Sequence, residues 1–369
     1  MDWEFDEAPD GNIALTGELD LQGRRQFTTG LAFGYSLSSA ATALFESLAI
    51  PFEDHKQRFI EQWERPGRHH LSLDQFSGDG GNLYHGSYSL LLAHEDKTYP
   101  GAFIASLSIP WGESRGDNDE GGYHYVWTRD MVNTAMGLLA AGNKVTPLRA
   151  LIYLATIQHA DGRFPQNFWI DGTPYWGGIQ LDEVAFPVLL AWHLDQENGL
   201  ADFDPYPLIK RAAGFLVRHG PATAQERWEE CSGYSPSTLA ACIAALICAA
   251  SFLRKRGESD TARFLEEYAD FLVSHIRAWV VTNEGDLVPD TPRHFIRILP
   301  VNIDDPSPNE DADHLLLSIA NRPPDTPLQV PAKNVVDAGF LELVRYGIMK
   351  PDDPLVLDSL RVVDSVLRV

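Results

Sequence analysis

The sequence predicts a mainly α-helical protein in which paired helices form a toroid, preceded by a short β segment. Three observations support this fold class. From about residue 80 onward, apolar residues recur at helical spacing, as in Val132, Met136 and Leu139. Helix starts carry a capping residue before a proline, as in Asp353-Pro354, and glycines fall where helices should stop. Long polar loops separate the predicted helices, and no repeat of about 20–50 residues indicates a solenoid.

The chain begins with a predicted β segment that is followed by helices. Gly11–Leu21 and Gln26–Phe33 have the composition of strands. Helices are predicted over Ser38–Leu48 and Glu53–Arg68, where apolar residues recur at helical spacing. These elements precede the main helical region.

The main region is predicted to contain about nine helices and two strand-like segments. The helices are expected at 82–94, 129–141, 147–158, 181–195, 205–219, 236–256, 260–281, 333–347 and 354–369, with a further one near 313–320. The strand-like segments are 103–108 and 295–299. Because the helices are joined in pairs by long loops, we expect them to pack as hairpins.

Composition and charge exclude several classes of protein. Of the 369 residues, 44% are hydrophobic and 22% are charged, which is typical of a globular chain. The formal net charge of −23 repels polyanions, so neither nucleic acid nor an anionic membrane is an expected partner. No apolar run approaches the roughly 18 residues of a membrane span. A neutral substrate is compatible with this charge.

The sequence offers no motif for a cofactor, a metal or a signal peptide. The three cysteines, Cys231, Cys242 and Cys248, form no C-x-x-C pair and are predicted to be buried free thiols. Phosphate-binding and zinc-binding motifs are absent from the sequence, so no cofactor or metal is predicted. The acidic first residues lack the basic and apolar regions of a signal peptide.

Four loops combine Trp, Tyr and paired polar residues. Three lead directly into a predicted helix, so in a toroid we expect them to converge on one cleft. Aromatic faces stack on the apolar faces of sugar rings, and Arg–Asp pairs supply forked hydrogen bonds to hydroxyl groups. The loops therefore indicate a carbohydrate site. They are Tyr123–Asp130, Asp161–Asn167, Gly172–Glu183 and Gln225–Thr238.

Four segments make a family resemblance visible. GGYHYVWTRDMVNTAMGLLAAG, PYWGGIQLDE, RWEECSGYSPSTLAA and NVVDAGFLELVRYGI occur in this order along the chain. Together they resemble the bacterial glucoamylases and glucodextranases of glycoside hydrolase family fifteen. The resemblance implies an (α/α)6 barrel of six helical hairpins behind an N-terminal β-sandwich. It also implies exo-acting, inverting hydrolysis of α-glucans, with release of β-D-glucose from non-reducing ends.

The resemblance assigns roles to individual residues. Glu229 matches the general acid that protonates the leaving glycosidic oxygen. Trp228, by desolvation, and Glu230, by charge repulsion, are expected to keep this acid protonated. Glu230 also matches a residue that hydrogen-bonds the sugar on the leaving-group side. Arg129 and Asp130 match the pair that holds the terminal glucose through its outer hydroxyls.

Aromatic residues complete the pocket that the resemblance implies. Tyr123 and Trp127 are expected to line its floor and Trp176 its wall, and Trp228 is assigned to substrate binding as well. Gln180 and Asp182 also lie in a loop that matches the family, but the resemblance assigns them a role less specifically.

The second carboxylate of an inverting hydrolase is not found in the sequence. The family's general base lies in a loop before the last barrel helix, and Asp337 and Glu342 match helix positions instead. We therefore expect an internal fragment whose base lies beyond residue 369. The predicted parts are 1–35, a remnant of the β-sandwich, 36–79, a helical linker, and 80–369, a C-terminally truncated barrel.

Several functions remain open at this point. A glucodextranase would cleave α-1,6 bonds with the same catalytic residues. An inactive glucan-binding fragment is consistent with the missing base. A phosphorylase or a lyase built on a helical toroid is the third alternative.

Overall fold

The structure is a computed structural model that describes residues 17–18, 20–67, 70–108, 122–305, 309–319 and 327–368. The chain divides into two units. One comprises Met1–Leu90 and Ile109–Gly122, and the other comprises Leu91–Ser108 and Tyr123–Val369. The domain boundaries at residues 35 and 79 remain predictions.

The first unit contains helices α1, Leu37–Leu48, and α2, Phe52–Gly67. Helix α1 begins with a capping box in which Ser36 and Ser39 exchange hydrogen bonds between side chain and backbone. The predicted strand Gln26–Phe33 is irregular. Most of the other predicted strand, Gly11–Leu21, lies outside the described residues.

The second unit is built from helices that alternate between an inner and an outer layer. The inner helices α4, α6 and α8 pack side by side, and each also packs against the helix that follows it. Most residues of α6 and α8 are buried. This pattern is the hairpin arrangement that the sequence predicts. The helices are α3 Asn82–Ala93, which begins in the first unit, α4 Thr128–Ala140, α5 Val145–Ile157, α6 Leu181–Gln196, α7 Tyr206–His219, α8 Pro236–Lys255, α9 Ser259–Val280, α10 Leu341–Arg345 and α11 Pro354–Leu367.

Short antiparallel strand pairs connect the ends of the helices. Each of the three pairs in the described residues has two strands. The predicted strand 295–299 is divided between two of them, and 103–108 contributes only a bridge between Phe103 and Glu95. The pairs are β1 Gly233–Tyr234 with β4 Leu299–Pro300, β2 Val281–Thr282 with β3 His294–Phe295, and β5 Leu316–Ser318 with β6 Gln329–Pro331.

Two helix predictions near the C-terminal end are wrong. The segment near 313–320 forms strand β5, because its backbone pairs with β6. The segment 333–347 is a 3-10 turn at Ala332–Asn334, a loop, and the short helix α10. In the loop, the Asp337 carboxylate accepts a hydrogen bond from the backbone N–H of Gly339 at 2.8 Å, which competes with a continuous helix.

Helix α8 is the one described helix that is long and apolar enough to cross a membrane. It is largely buried and packs against α6, α7 and α9, as a core helix does. The cysteines are free, as predicted; Cys242 is buried, whereas Cys231 and Cys248 are partly buried.

We expect Gly162→Ala to destabilise the protein by about 3 kcal/mol, through left-handed strain and a backbone clash. Gly162 has a φ of 106°, and an added Cβ would lie 2.1 Å from the carbonyl oxygen of Arg211. The control is Gly257→Ala, at a φ of 79° with no atom within 4 Å of the added Cβ. This change should cost only about 1 kcal/mol of backbone strain. Denaturant unfolding measures both, and equal losses would contradict the predicted clash.

Candidate active site

The candidate site lies at the N-terminal ends of the three inner helices. Trp127, Gln180 and Ser235 are the residues before α4, α6 and α8, and each has extended backbone without a side-chain cap. Successive inner helices run in the same direction, because each hairpin returns the chain to the end at which it began. The first-turn N–H groups of all three helices therefore point toward one end, where the helix dipoles favour negative charge.

Glu229 occupies a strained position in the loop before α8. Its φ of 63° lies in the left-handed region, which costs a residue other than glycine about 1–2 kcal/mol. The buried carboxylate of Glu226 accepts hydrogen bonds from the backbone N–H groups of Trp228 and Glu230, at 2.9 and 3.4 Å. The Glu229 N–H itself donates to the Glu226 carbonyl at 2.8 Å. Glu226 therefore fixes the turn that presents Glu229.

The Glu229 carboxyl group receives two side-chain hydrogen bonds from different helix starts. The indole Nε1 of Trp127 donates to Oε1 at 2.7 Å, and the amide Nε2 of Gln180 donates to the same oxygen at 3.1 Å. Gln180 is 1% exposed. Its own oxygen accepts a hydrogen bond from Arg129, so one connected network joins α4, α6 and the loop before α8.

Arg129 is surrounded by carboxyl groups. Its NH1 lies 3.3 Å from Asp182 and 4.0 Å from Glu183, and its Nε lies 4.0 Å from Asp130. Burial lowers the pKa of Arg129, but these carboxylates more than reverse this effect, so the guanidinium stays charged. Asp130 keeps 45% of its side chain exposed, yet desolvation by the surrounding atoms raises its pKa above the ordinary value, against the effect of Arg129.

Aromatic rings surround the Trp127 side chain, which is 4% exposed. The ring centroids of Tyr123 and Trp176 lie 6.0 and 6.3 Å from that of Trp127. Tyr123 keeps 44% of its surface exposed, so it can present its ring to a ligand. In the loop Asp161–Asn167, which leads into no helix, the Asn167 side chain accepts the Trp176 N–H at 2.9 Å. This loop therefore supports an aromatic wall.

The side chains of Glu230 and Trp228 are engaged away from the Glu229 carboxyl group. Glu230 forms an ion pair with Arg297 at 2.7 Å, which compensates its charge. Trp228 is 53% exposed, and its Nε1 donates to Asp337 at 2.9 Å. The expected desolvation of Glu229 by Trp228 and its repulsion by Glu230 remain predictions. Their roles in binding sugar remain predictions.

Three ion pairs hold the loop that carries Glu229. Arg297 lies 3.7 Å from Glu226 and also contacts Glu230. Burial raises the pKa of Glu226, although backbone hydrogen bonds and the charge of Arg297 favour its ionised form. On the other side, Asp337 accepts hydrogen bonds from both Arg227 and Trp228, each at 2.9 Å. These contacts stabilise the turn that the left-handed conformation of Glu229 requires.

Sequence reasoning missed several members of this network. Arg297 lies within the strand-like segment 295–299. Gln225, whose side-chain oxygen accepts a hydrogen bond from Gln180 at 3.3 Å, begins a loop, and neither position has a motif of its own. Glu226 lies two residues before the Trp-Glu-Glu motif, and Glu183 ends the segment PYWGGIQLDE without an assigned role. Asp337 lies in a recognised segment but was assigned to a helix. Only the tertiary contacts identify these residues.

A separate open cavity of about 440 Å³ lies near the C-terminal ends of α6 and α8, at the opposite end of the inner helices. Four of its charged groups form two ion pairs, Lys255 with Asp195 and Arg256 with Asp204. Among the described residues, no group of three His, Cys, Asp or Glu side chains could hold a metal ion.

The fold and site together define a helical-hairpin toroid with an aromatic, carboxyl-rich site at the N-terminal ends of its inner helices. The sequence profile of glycosyl hydrolases family 15 matches residues 78–158 and 156–369. The chain belongs to this family, and its fold is the (α/α)6 fold of glucoamylases. The profile of glucodextranase domain N matches residues 1–65.

Similar proteins agree with this assignment. A glucoamylase of Clostridium sp. (strain G0005) is 42% identical over 360 residues, which are 97% of this chain and 48% of that protein. The crystal structure of a bacterial glucoamylase complexed with acarbose has a TM-score of 0.79 and 40% identity, covering 91% of this chain and 47% of that one. A wild-type glycosidase shares the fold at a TM-score of 0.51 and 18% identity, covering 76% and 68% of the two chains. The chain thus spans about half the length of the two glucoamylases.

Asp337→Asn is expected to destabilise the protein by about 2 kcal/mol, the order lost with hydrogen bonds between charged groups. While Oδ1 accepts the Gly339 N–H, the new amide nitrogen would face the donors of Arg227 and Trp228. Denaturant unfolding provides the measurement. The control is Asp358→Asn, which removes a surface pair with Arg361 and should cost less than about 0.5 kcal/mol. Similar losses in both variants would argue against a specific support of the loop.

Proposed function

We propose that this chain carries the general acid and the glucose-binding residues of an exo-acting, inverting α-glucan hydrolase of the glucoamylase type. The observation that carries the proposal is the position of Glu229 Oε1, which accepts hydrogen bonds from Trp127 and Gln180. A carboxylic acid accepts hydrogen bonds best at its carbonyl oxygen. When Glu229 is protonated, the two donors on Oε1 leave Oε2 to carry the proton, which is transferred from there to the leaving glycosidic oxygen.

Arg129 and Asp130 bind the terminal glucose in this proposal. A guanidinium donates and a carboxylate accepts, so together they match sugar hydroxyls, which do both. Asp130 is partly exposed beside the buried Arg129, as a residue that meets the substrate must be. Tyr123, Trp127 and Trp176 supply apolar ring surfaces for the pyranose faces. Holding the end of a glucan chain by its outer hydroxyls makes the enzyme exo-acting.

Inversion requires a general base about 6.5–9.5 Å from the acid, with room for a water molecule between them. We propose that this base is not among the 369 residues, because the sequence contains no match to the family's second catalytic Glu. Glu230 and Trp228 would contact the sugar on the leaving-group side. Their present partners, Arg297 and Asp337, orient them for that role.

A preference for α-1,6-glucans is the second candidate, and the match of residues 1–65 to glucodextranase domain N favours it. The same acid and sugar-binding residues would serve both linkages. Relative rates on maltooligosaccharides and isomaltooligosaccharides separate the two candidates. Faster release of glucose from isomaltooligosaccharides would replace the glucoamylase assignment.

Arg129→Gln should weaken acarbose binding to this chain by at least about tenfold, because charged hydrogen bonds to hydroxyls contribute on that order. Isothermal titration calorimetry at pH 5 measures the affinity. Arg263→Gln, on the outer helix α9 with 64% of its side chain exposed, is the matched control and should leave binding unchanged. Equal affinities of the wild type and Arg129→Gln would exclude the proposed sugar clamp.

The reaction itself is followed by polarimetry with maltoheptaose. We expect the chain alone to hydrolyse it near background, because absence of the base costs about 10²–10⁴-fold in rate. A protein that combines this chain with such a base should release β-D-glucose first, and Glu229→Gln in that protein should abolish turnover. Robust turnover by the chain alone would mean that a base exists within it, and initial release of α-glucose would exclude inversion.

A further inference from the structure

Glu183, in the first turn of α6, is a buried carboxyl group that the proposed reaction does not use. It is 1% exposed. Within the described parts of the chain, neither of its carboxyl oxygens has a hydrogen-bond partner. The nearest charged atom recorded is NH1 of Arg129, 4.0 Å from Oε1. A buried carboxylate without donors is costly, whereas a neutral carboxylic acid loses much less on burial.

The charges around Arg129 also disfavour an ionised Glu183. A single guanidinium faces Asp182, the closest carboxylate, and Asp130, which retains contact with solvent. Glu229 adds a fourth carboxyl group through Gln180. A negative charge on Glu183 would therefore be repelled by Asp182 and Asp130 and attracted by one guanidinium that is already shared.

We propose that Glu183 is held as a neutral carboxylic acid and serves as a positioning residue that packs beside Arg129 without neutralising it. The guanidinium then directs its charge to Asp182 and Gln180 and, where the proposed function holds, to the sugar. In agreement with this geometry, burial raises the pKa of Glu183 well above its ordinary value. Arg129 opposes this rise, and Asp182, Asp130 and Glu229 add to it.

A neutral Glu183 makes stability depend on pH in a defined direction. In the unfolded chain the group loses its proton near its ordinary pKa of 4.5, while the folded protein retains it to higher pH. Above that pH the unfolded state binds fewer protons, so the free energy of unfolding falls as pH rises. The fall continues up to the pKa of the folded state. Below pH 4.5 Glu183 is protonated in both the folded and the unfolded state, so it no longer makes the free energy of unfolding depend on pH.

Glu183→Gln removes this titration while keeping the shape of the side chain. Relative to wild type, its unfolding equilibrium should shift toward the folded state by up to about tenfold for each pH unit above 4.5. Denaturant unfolding from pH 4 to 7 measures this difference. Glu183→Met, also uncharged, should show the same slope even if imperfect packing adds a constant loss. A difference from wild type that does not change with pH, or a stability advantage that shrinks as pH rises, overturns the proposal.

Two further variants distinguish Glu183 from its neighbours. Glu267→Gln changes an exposed residue of α9 and should leave the pH dependence of wild type intact. Asp182→Asn removes the charge of the carboxylate closest to Arg129 and should destabilise the protein at pH 7, in contrast to Glu183→Gln.

Acarbose binding tests the positioning role. Glu183→Gln should change the affinity by less than about tenfold, because the charge on Arg129 and the shape beside it are preserved. A larger loss would indicate that an ionised Glu183 is required and would overturn the proposal. If the wild type itself does not bind acarbose, the proposed function fails. The unfolding measurements from pH 4 to 7 still decide whether Glu183 is protonated.

Discussion

The charge of Arg129 is the interaction on which the candidate site depends. The guanidinium connects the first turn of α4 to the first turn of α6 through Asp182, and Gln180 extends this connection to Glu229. Three segments that are distant in sequence are thereby held at one end of the inner helices. Because the cluster is largely buried, each contact is stronger than it would be in water, and each unpaired group is more costly.

The loop that presents Glu229 is held separately from this cluster. A residue with a positive φ persists only where surrounding contacts determine its conformation. Here those contacts are the Glu226 carboxylate with its backbone donors and the Asp337 carboxylate with Arg227 and Trp228. The position of Glu229 is thus set by carboxylates that bond to the loop around it. The side chains of Trp228 and Glu230, which are adjacent to Glu229 in sequence, therefore stabilise this loop.

The sequence predicted the inner and outer helices well, because their burial follows the helical period over many residues. It failed where a single side chain decides the local structure. The segment 333–347 has helical spacing, yet Asp337 bonds to residues about 110 positions earlier and to Gly339, so no continuous helix forms. The Arg129–Asp130 pair was visible as a motif. The sequence did not identify Glu183. What distinguishes this residue is that its buried carboxyl oxygens have no hydrogen-bond partner and lie near a guanidinium, and no local sequence pattern indicates either property.

The electrostatics of the site favour a neutral ligand over an anion. Converging helix N-termini ordinarily attract phosphate and similar groups. In this chain Asp182 lies in the first turn of α6 and Asp130 in the first turn of α4. Their negative charges offset much of the positive potential of these helix N-termini. The one guanidinium among them is shared with Asp182 and Gln180. A phosphorylase would need cationic groups that are not already paired with carboxylates, in order to bind its phosphate. The hydroxyls of a sugar, in contrast, can accept hydrogen bonds from Arg129 and donate hydrogen bonds to Asp130. The distribution of charge therefore supports hydrolysis of a neutral glucan over phosphorolysis.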